Sequence, residues 1–338
     1  MESLGVKYRP HSWDNVIGQD VIVQILQKQI DTKSIKNAYI FSGASGCGKT
    51  TAARIFANEL NNHIGTPIEI DGASNNGVDN VKQIINSASQ RSIDSEYKIY
   101  IIDEAHMLTT PAWNAFLKTI EESPKYTIFI FCTTDPQKIP DTIKNRCMRF
   151  NFTRISSKDI VQRLSYICET EGVENYHDVV DYISRISHGE MRNAISKLET
   201  CIDYSNTLSM ESALQALGNF SYDKFFSLIN AVIDGNFKTV DTEITNIYND
   251  GADMKLFATE FLNFVLDIML YSLNHDIACT TLPVTYKDKL EFSIGFDDAT
   301  KYYNYYVDKL LDLKNMIKTD VEPLQTILVM FNRMCRLI

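Results

Sequence analysis

The segment Gly43-Ala44-Ser45-Gly46-Cys47-Gly48-Lys49-Thr50 constrains this chain more than any other. It fits the pattern GxxxxGK[ST], and its setting is the one that separates such a loop from a chance glycine-rich turn. An apolar strand pattern, Ala38–Ser42, precedes it, and a helical pattern runs on from Thr50. In that setting Gly43, Gly46 and Gly48 let the backbone N–H groups of the loop, with those of Cys47 and Thr51, curl around phosphates. The helix N-terminus adds the positive end of its dipole. Lys49 is then placed to reach the β- and γ-phosphates and the Thr50 hydroxyl to ligate Mg²⁺, so ATP and Mg²⁺ are the expected ligands.

A strand–loop–helix start commits the first part of the chain to an α/β sheet, and the next residues continue the alternation. Ile68–Asp71, Lys98–Asp103 and Thr127–Cys132 read as β-branched or aromatic runs, apolar on both faces as buried parallel strands are. Helical stretches fall near Thr50–Asn62, Val78–Gln90 and Pro111–Glu122, and Met148–Phe152 reads as a fifth strand. The third of these runs, Ile99-Tyr100-Ile101-Ile102-Asp103-Glu104, ends in two carboxylates, which is the form of a Walker B element. A rigid strand would deliver Asp103 to Mg²⁺ and Glu104 to the attacking water. Asp103-Glu104-Ala105-His106 also spells a DEAH box, but helicases of that kind carry two motor domains in tandem and this pattern occurs once.

After Phe152 the pattern turns helical. Ser156-Ser157-Lys158-Asp159 reads as a capping box opening a helix with Ile160, Val161 and Leu164 along one face. Breaks are expected near Tyr204–Ser209 and Thr280–Pro283. With 338 residues, and about 150 residues per domain, two or three domains are expected. The divisions fall at 1–153 (P-loop α/β), 154–207 (a small helical lid) and 208–338 (a larger helical domain). Tyr302, Tyr303, Tyr305 and Tyr306 read as core or helix–helix interface at helical spacing rather than as a stacking platform. The apolar run Phe261–Leu270 is broken by Asn263 and Asp267, and falls short of the roughly 20 residues of a membrane span. No secretory signal is read at the start.

Seven scattered cysteines with no CxxC pair indicate a reducing cytosol, with neither a disulfide framework nor a zinc knuckle. The net charge of −10 means that any contact with nucleic acid must rest on a local patch.

Several segments follow one another in an informative order. Lys7-Tyr8-Arg9-Pro10 and Gly18-Gln19 precede the phosphate loop. Ile68-Glu69-Ile70-Asp71-Gly72-Ala73-Ser74, Asp103-Glu104-Ala105-His106-Met107-Leu108 and Asn114-Ala115-Phe116-Leu117-Lys118-Thr119-Ile120-Glu121-Glu122 come after it. Thr133-Thr134-Asp135-Pro136-Gln137-Lys138-Ile139-Pro140, Asn145-Arg146-Cys147 and Gly189-Glu190-Met191-Arg192-Asn193-Ala194 complete the series. This series resembles the motor subunits of sliding-clamp loaders. It is nearest the gamma/tau subunits of bacterial DNA polymerase III and related to the small subunits of replication factor C.

The resemblance implies an AAA+ ATPase, with the 208–338 region as a collar, working in a ring of five subunits with other clamp-loader subunits. ATP binding would open a sliding clamp on primer–template DNA, and hydrolysis would release it closed. Tyr8 and Arg9 would line the nucleotide site, Thr134 falls at the sensor 1 position and Arg192 at sensor 2. Arg146 would be the arginine finger acting in trans, a role worth about 10³–10⁵ in rate. A surface ion pair is the alternative for Arg146, a helix-face ion pair with Glu190 or Glu199 for Arg192, and a plain strand-end hydroxyl for Thr134. Lys82 and Arg91 are candidate DNA contacts of the salt-dependent, sequence-blind kind, or simply solvated helix-face residues. The family's four-cysteine zinc module has no counterpart in the interval Asn61–Pro67, so no zinc is expected. The bacterial cytosol or a phage-infected cell is the expected location, with no membrane association. A non-hydrolysing stator of the same ring, or another AAA+ DNA-remodelling ATPase such as a branch-migration motor, are the rival readings.

Overall fold

The computed structural model describes residues 2–122, 124–218 and 220–335. It divides into two compact units, Met1–Ile167 with Ser187–Glu199, and Cys168–Ile186 with Thr200–Ile338, each considered over its described residues.

In the first unit five parallel strands stand in the order β2-β3-β4-β1-β5: β1 Ala38–Gly43, β2 Ile68–Asp71, β3 Lys98–Asp103, β4 Thr127–Thr133 and β5 Met148–Phe152. The connecting helices are α1 Leu4–Lys7, α2 Asp20–Asp31, α3 Lys49–Leu60, α4 Val78–Ala88, α5 Thr110–Glu121 and α6 Asp141–Lys144. The period-two alternation of the strands sorts their side chains into two cores. Tyr39, Phe41, Ile99, Ile101, Ile128 and Ile130 meet α2 and α3 through Leu26, Ala52 and Phe56. Ala38, Ile40, Tyr100, Ile102, Phe129 and Phe131 meet α4 and α5 through Val81, Trp113 and Phe116. Strands β1, β3 and β4 are therefore apolar on both sides. Strand β2 is not buried as its sequence suggested: it is the sheet edge, Ile68 is exposed and only Ile70 turns partly inward.

Two features of the order bear on the site. β1 lies between β4 and β5, so the loop after β1 opens where the sheet's strands end beside β3 and β4. A Cβ on Gly43, where β1 ends, would lie 2.3 Å from the Phe152 carbonyl oxygen; only glycine lets β1 and β5 close there.

Helices α7 Ser157–Glu171 and α9 Met191–Tyr204 contribute residues to both units, while α8 His177–Ile186 belongs to the second. The Ser156 hydroxyl caps α7 by accepting the Asp159 N–H at 3.1 Å and donates back to the Asp159 carboxylate at 2.7 Å.

The second unit continues with α10 Met210–Ala216, α11 Tyr222–Ile233, α12 Phe237–Asn249, α13 Met254–Asn274, α14 Lys287–Ser293, α15 Ala299–Met316 and α16 Leu324–Met334. Its core is aromatic: Phe225, Phe257, Phe261, Phe264 and Phe331 pack ring against ring around α13. Tyr303 and Tyr306 are wholly buried in it, as expected for interface-spaced tyrosines. Helix α13 corrects one expectation. It has 21 residues and a mean hydropathy of 1.5 over its most apolar window, enough by length and composition to cross a membrane. Half of that window is buried inside the protein, however, and Asp267 in its middle accepts the Thr281 N–H at 3.1 Å and the Thr281 hydroxyl at 2.5 Å. A core helix of a folded unit satisfies the same length test. The break expected near Thr280–Pro283 is organised by Arg185, which donates to the Ile277, Thr280 and Leu282 carbonyls.

Candidate active site

The loop Ala44–Gly48 leaves β1 and enters α3 through two left-handed glycines, Gly46 (φ 65°) and Gly48 (φ 100°). Nothing lies within 4 Å of a Cβ built on Gly48, so glycine is required there for backbone conformation, whereas at Gly46 a Cβ would press on the Arg192 Cβ at 3.2 Å. Lys49 is buried, and its ammonium donates to the Gly43 and Ala44 carbonyls at 3.0 and 2.7 Å. The Thr50 hydroxyl donates to Asp103 Oδ2 at 2.8 Å, joining the loop to the end of β3. Burial raises the Cys47 thiol pKa despite the nearby Lys49, and Cys47 Sγ donates to the Ala44 carbonyl, so this cysteine is a structural part of the loop.

Asp103, the last residue of β3, and Glu104, the next, face different partners. Asp103 Oδ1 accepts the Glu104 N–H at 3.0 Å while Oδ2 faces Thr50. Glu104 itself sits in the left-handed region at φ 45°, ψ 42°, a conformation that carries backbone strain in a non-glycine residue. Its Oε2 accepts from the Thr134 hydroxyl at 3.2 Å and lies 3.2 Å from His106 Nδ1. Thr134 follows β4, so the β3 and β4 ends meet through side chains.

A cleft is lined by Tyr8 and Arg9 from the N-terminal segment, by the loop from Ser45 to Thr51, by Asp103 and Glu104, and by Arg192 at the start of α9. The Arg9 guanidinium titrates below its usual range, first because it is buried and next because Arg54 and Arg192 repel it. Arg9, Arg163 and Arg192 share the cleft with Lys49 and an inward loop of N–H groups, a site whose charge balance calls for a polyanion. The oxygen pair Thr50–Asp103 is the hard donor set that Mg²⁺ prefers.

The structure thus brings together Lys49, Thr50, Thr51, Asp103, Glu104, Thr134, Tyr8, Arg9 and Arg192, and it sets three predicted residues apart. Arg146 follows α6, outside the cleft lining, and its Nε donates to Glu121 Oε1 at 2.5 Å and its NH1 to the Thr142 carbonyl at 2.6 Å. Lys82 is exposed on α4 beside Asp79, and Arg91 lies over the Tyr126 ring with its guanidinium carbon 5.2 Å from the centroid. Three contributors carried no role in the sequence reading. Gln19 is buried and donates to the Cys47 and Thr153 carbonyls, bracing the loop against the end of β5. Arg163 from α7 donates to the Tyr8 carbonyl at 2.6 Å and holds the N-terminal segment over the cleft. His106 is the third. Gly18-Gln19 and the DEAH spelling were visible, but without the fold nothing connected them to the loop.

A five-stranded parallel sheet in this order, with the loop after β1 facing carboxylates at the end of β3, defines the P-loop nucleotide-binding fold of the AAA+ class. Solved structures of the Holliday junction branch migration motor RuvB of Thermotoga maritima share that fold: one superimposes with a TM-score of 0.53 at 20% identity, over 67% of this chain and 80% of that one. The family model "DNA polymerase III, delta subunit" matches residues 62–156, and "DNA polymerase III subunits gamma and tau domain III" matches residues 208–291. The chain is 36% identical to the DNA polymerase III subunit tau of Bacillus subtilis over 78% of its own length and 51% of that protein's. It is 30% identical to the gamma/tau subunit of Mycoplasma genitalium over 96% of its length and 58% of that protein's. Against the gamma subunit of Buchnera aphidicola it is 31% identical over 79% of its length and 80% of that protein's. This chain belongs to the gamma/tau family of DNA polymerase III subunits. It spans about half the length of the first two relatives.

Proposed function

We propose that this chain is an ATP-hydrolysing motor subunit of a clamp loader, acting in the bacterial cytoplasm or a phage-infected cell. The observation that carries the reading is the convergence of Lys49, Thr50, Asp103 and Glu104 on one arginine-lined cleft in a chain of the gamma/tau family. In it, residues 1–153 are the ATPase, 154–207 a lid bearing Arg192, and 208–338 a collar that joins it to other clamp-loader subunits in a ring of five. The ring opens a sliding clamp and places it on primer–template DNA.

Within the site the loop N–H groups and Lys49 bind the phosphates, and Lys49 exchanges its two carbonyl partners for them. Thr50 and Asp103 hold Mg²⁺, which when bound supplies positive charge to the phosphate oxygens. Glu104 orients the attacking water and accepts its proton. Thr134 reports the γ-phosphate by changing hydrogen-bond partner. Arg146 acts on a neighbour's site, which its position after α6, outside its own cleft, supports. Lys82 and Arg91 contact the DNA backbone. No zinc takes part, in keeping with the cysteine-free interval 61–67. The intact Lys49, Thr50, Asp103, Glu104 and Arg146 favour hydrolysis over a stator role.

The test is Arg146→Ala in the assembled complex. ATP affinity within about twofold of the parent and turnover lowered by about 10³ are expected. An unchanged rate would remove the finger from this residue.

A further inference from the structure

We propose that His106 is a positioning residue for Glu104, holding its carboxylate in place when Thr134 turns to the nucleotide. The inference rests on the reading of Glu104 as the group that orients water. Glu104 Oε2 accepts a hydrogen bond from the Thr134 hydroxyl at 3.2 Å and lies at ion-pair distance, 3.2 Å, from His106 Nδ1. A threonine hydroxyl has a single proton. Once that proton is given to a phosphate oxygen, Glu104 keeps only the imidazole.

The imidazole is built for this. His106 lies in the short 3₁₀ turn Ala105–Met107 directly after Glu104, and its side chain is only 12% exposed. Its Nδ1 also lies 3.3 Å from the hydroxyl of Thr133, a buried residue whose oxygen already accepts the Asp135 N–H at 3.0 Å. The Thr133 hydroxyl can serve Nδ1 in either tautomer, whereas the Glu104 carboxylate can only accept, so the carboxylate is what favours the Nδ1–H tautomer. The opposite tautomer would set a lone pair against the carboxylate. The Glu104 backbone is fixed as well: Gly72, after β2, donates to the Asp103 carbonyl at 2.8 Å, and a Cβ there would meet the Glu104 carbonyl oxygen at 2.9 Å. With the main chain pinned from β2, the side chain's remaining freedom is set from β4 and the turn. Outer partners that orient a ligand change rates by about 10–100-fold when removed from metal sites, and a carboxylate base depends on orientation in the same way.

The experiment measures kcat and KM for ATP in the assembled complex with three substitutions. Asparagine carries its N–H donor where Nδ1 stands, and glutamine carries it where Nε2 stands. His106→Ala and His106→Gln should lower kcat about tenfold or more with KM within about twofold, while His106→Asn should keep at least about a third of the parent rate. In a Glu104→Gln background, His106→Ala should cost nothing further. An unchanged kcat in His106→Ala, glutamine serving as well as asparagine, or a rise in KM alone would each overturn the proposal. If His106→Ala does not fold, the asparagine–glutamine pair still decides. Full turnover in Glu104→Gln would instead overturn the reading of Glu104. An inactive Glu104→Gln beside a fully active His106→Ala would sink only the role of His106.

Discussion

Lys49 is buried with its charge satisfied by two carbonyls of its own loop, so Lys49→Ala removes the phosphate contact proposed for it while leaving the loop's glycine conformations in place. Equilibrium binding of ATP should weaken at least about tenfold, the scale of one charge-assisted contact, and ATP-driven clamp loading should vanish. Glu104→Gln separates binding from chemistry: ATP affinity should hold while turnover falls about 10²-fold or more in a single-turnover assay. At this scale the sequence was most readable where chemistry demands a fixed spacing. Lys49, Thr50, Asp103 and Glu104 were identifiable because phosphates and Mg²⁺ dictate the residues and a strand dictates the pattern. Gln19 and Arg163 were not, because their partners lie 28 and 155 residues away in sequence, and no local pattern encodes a contact of that range; His106 stands two residues from Glu104, but only the turn after β3 and the approach of Thr133, 27 residues on, bring its ring back to that carboxylate. Arg146 and Glu121 show the limit from the other side: the ion pair foreseen as an alternative does form, and a finger role in a neighbouring subunit asks for a partner outside this chain.

Among the elements, β1 and its loop carry the tightest constraint. Gly43→Ala places a methyl group against the Phe152 carbonyl at a distance no packing tolerates, and should cost about 2–3 kcal/mol in chemical denaturation as β5 is pushed away. The misreading of β2 belongs at this scale. Its Ile-Glu-Ile-Asp run is too short to distinguish a central strand from an edge, and strand order is set by which crossovers pack, which the run itself does not contain. The apolar run of helix α13 reads as short in the sequence because Asn263 and Asp267 break its hydropathy; in the fold Asp267 is buried and bonded to Thr281. Burial raises the Asp267 pKa above the usual aspartate range, against the opposing pull of the Thr281 bonds. The native state therefore holds this proton more tightly than the unfolded chain. Stability contributed by Asp267 falls as pH rises from the unfolded pKa through the folded one, and stays lowered at neutral pH. Asp267→Asn should accordingly gain more stability, relative to the parent, at pH 7 than at pH 3. An equal difference at both values in urea titrations would mean that the carboxylate's ionisation is not felt.

Over the whole molecule, the change from alternating strands to continuous helix after Phe152 was legible, since hydrophobic period alone separates the two regimes. The two compact units divide within α7 and α9, and no composition shift in the sequence marks such a point. The same global view makes a chemical prediction. Six of the seven cysteines are buried or half-buried and Cys279 is exposed. Burial holds the thiols of Cys147 and Cys168 up to about 12 and that of Cys47 above its ordinary value. A maleimide at pH 7 should label Cys279 first and leave Cys47 unmodified by peptide mapping, and ATP binding should survive the labelling. The central claim, a motor whose cleft turns over ATP in response to clamp and DNA together, is tested most directly by steady-state ATPase rates of the assembled complex with and without primed DNA and the cognate sliding clamp. The account predicts stimulation that requires both. Stimulation by DNA alone, with the clamp irrelevant, or a flat rate in the complete assembly would contradict it.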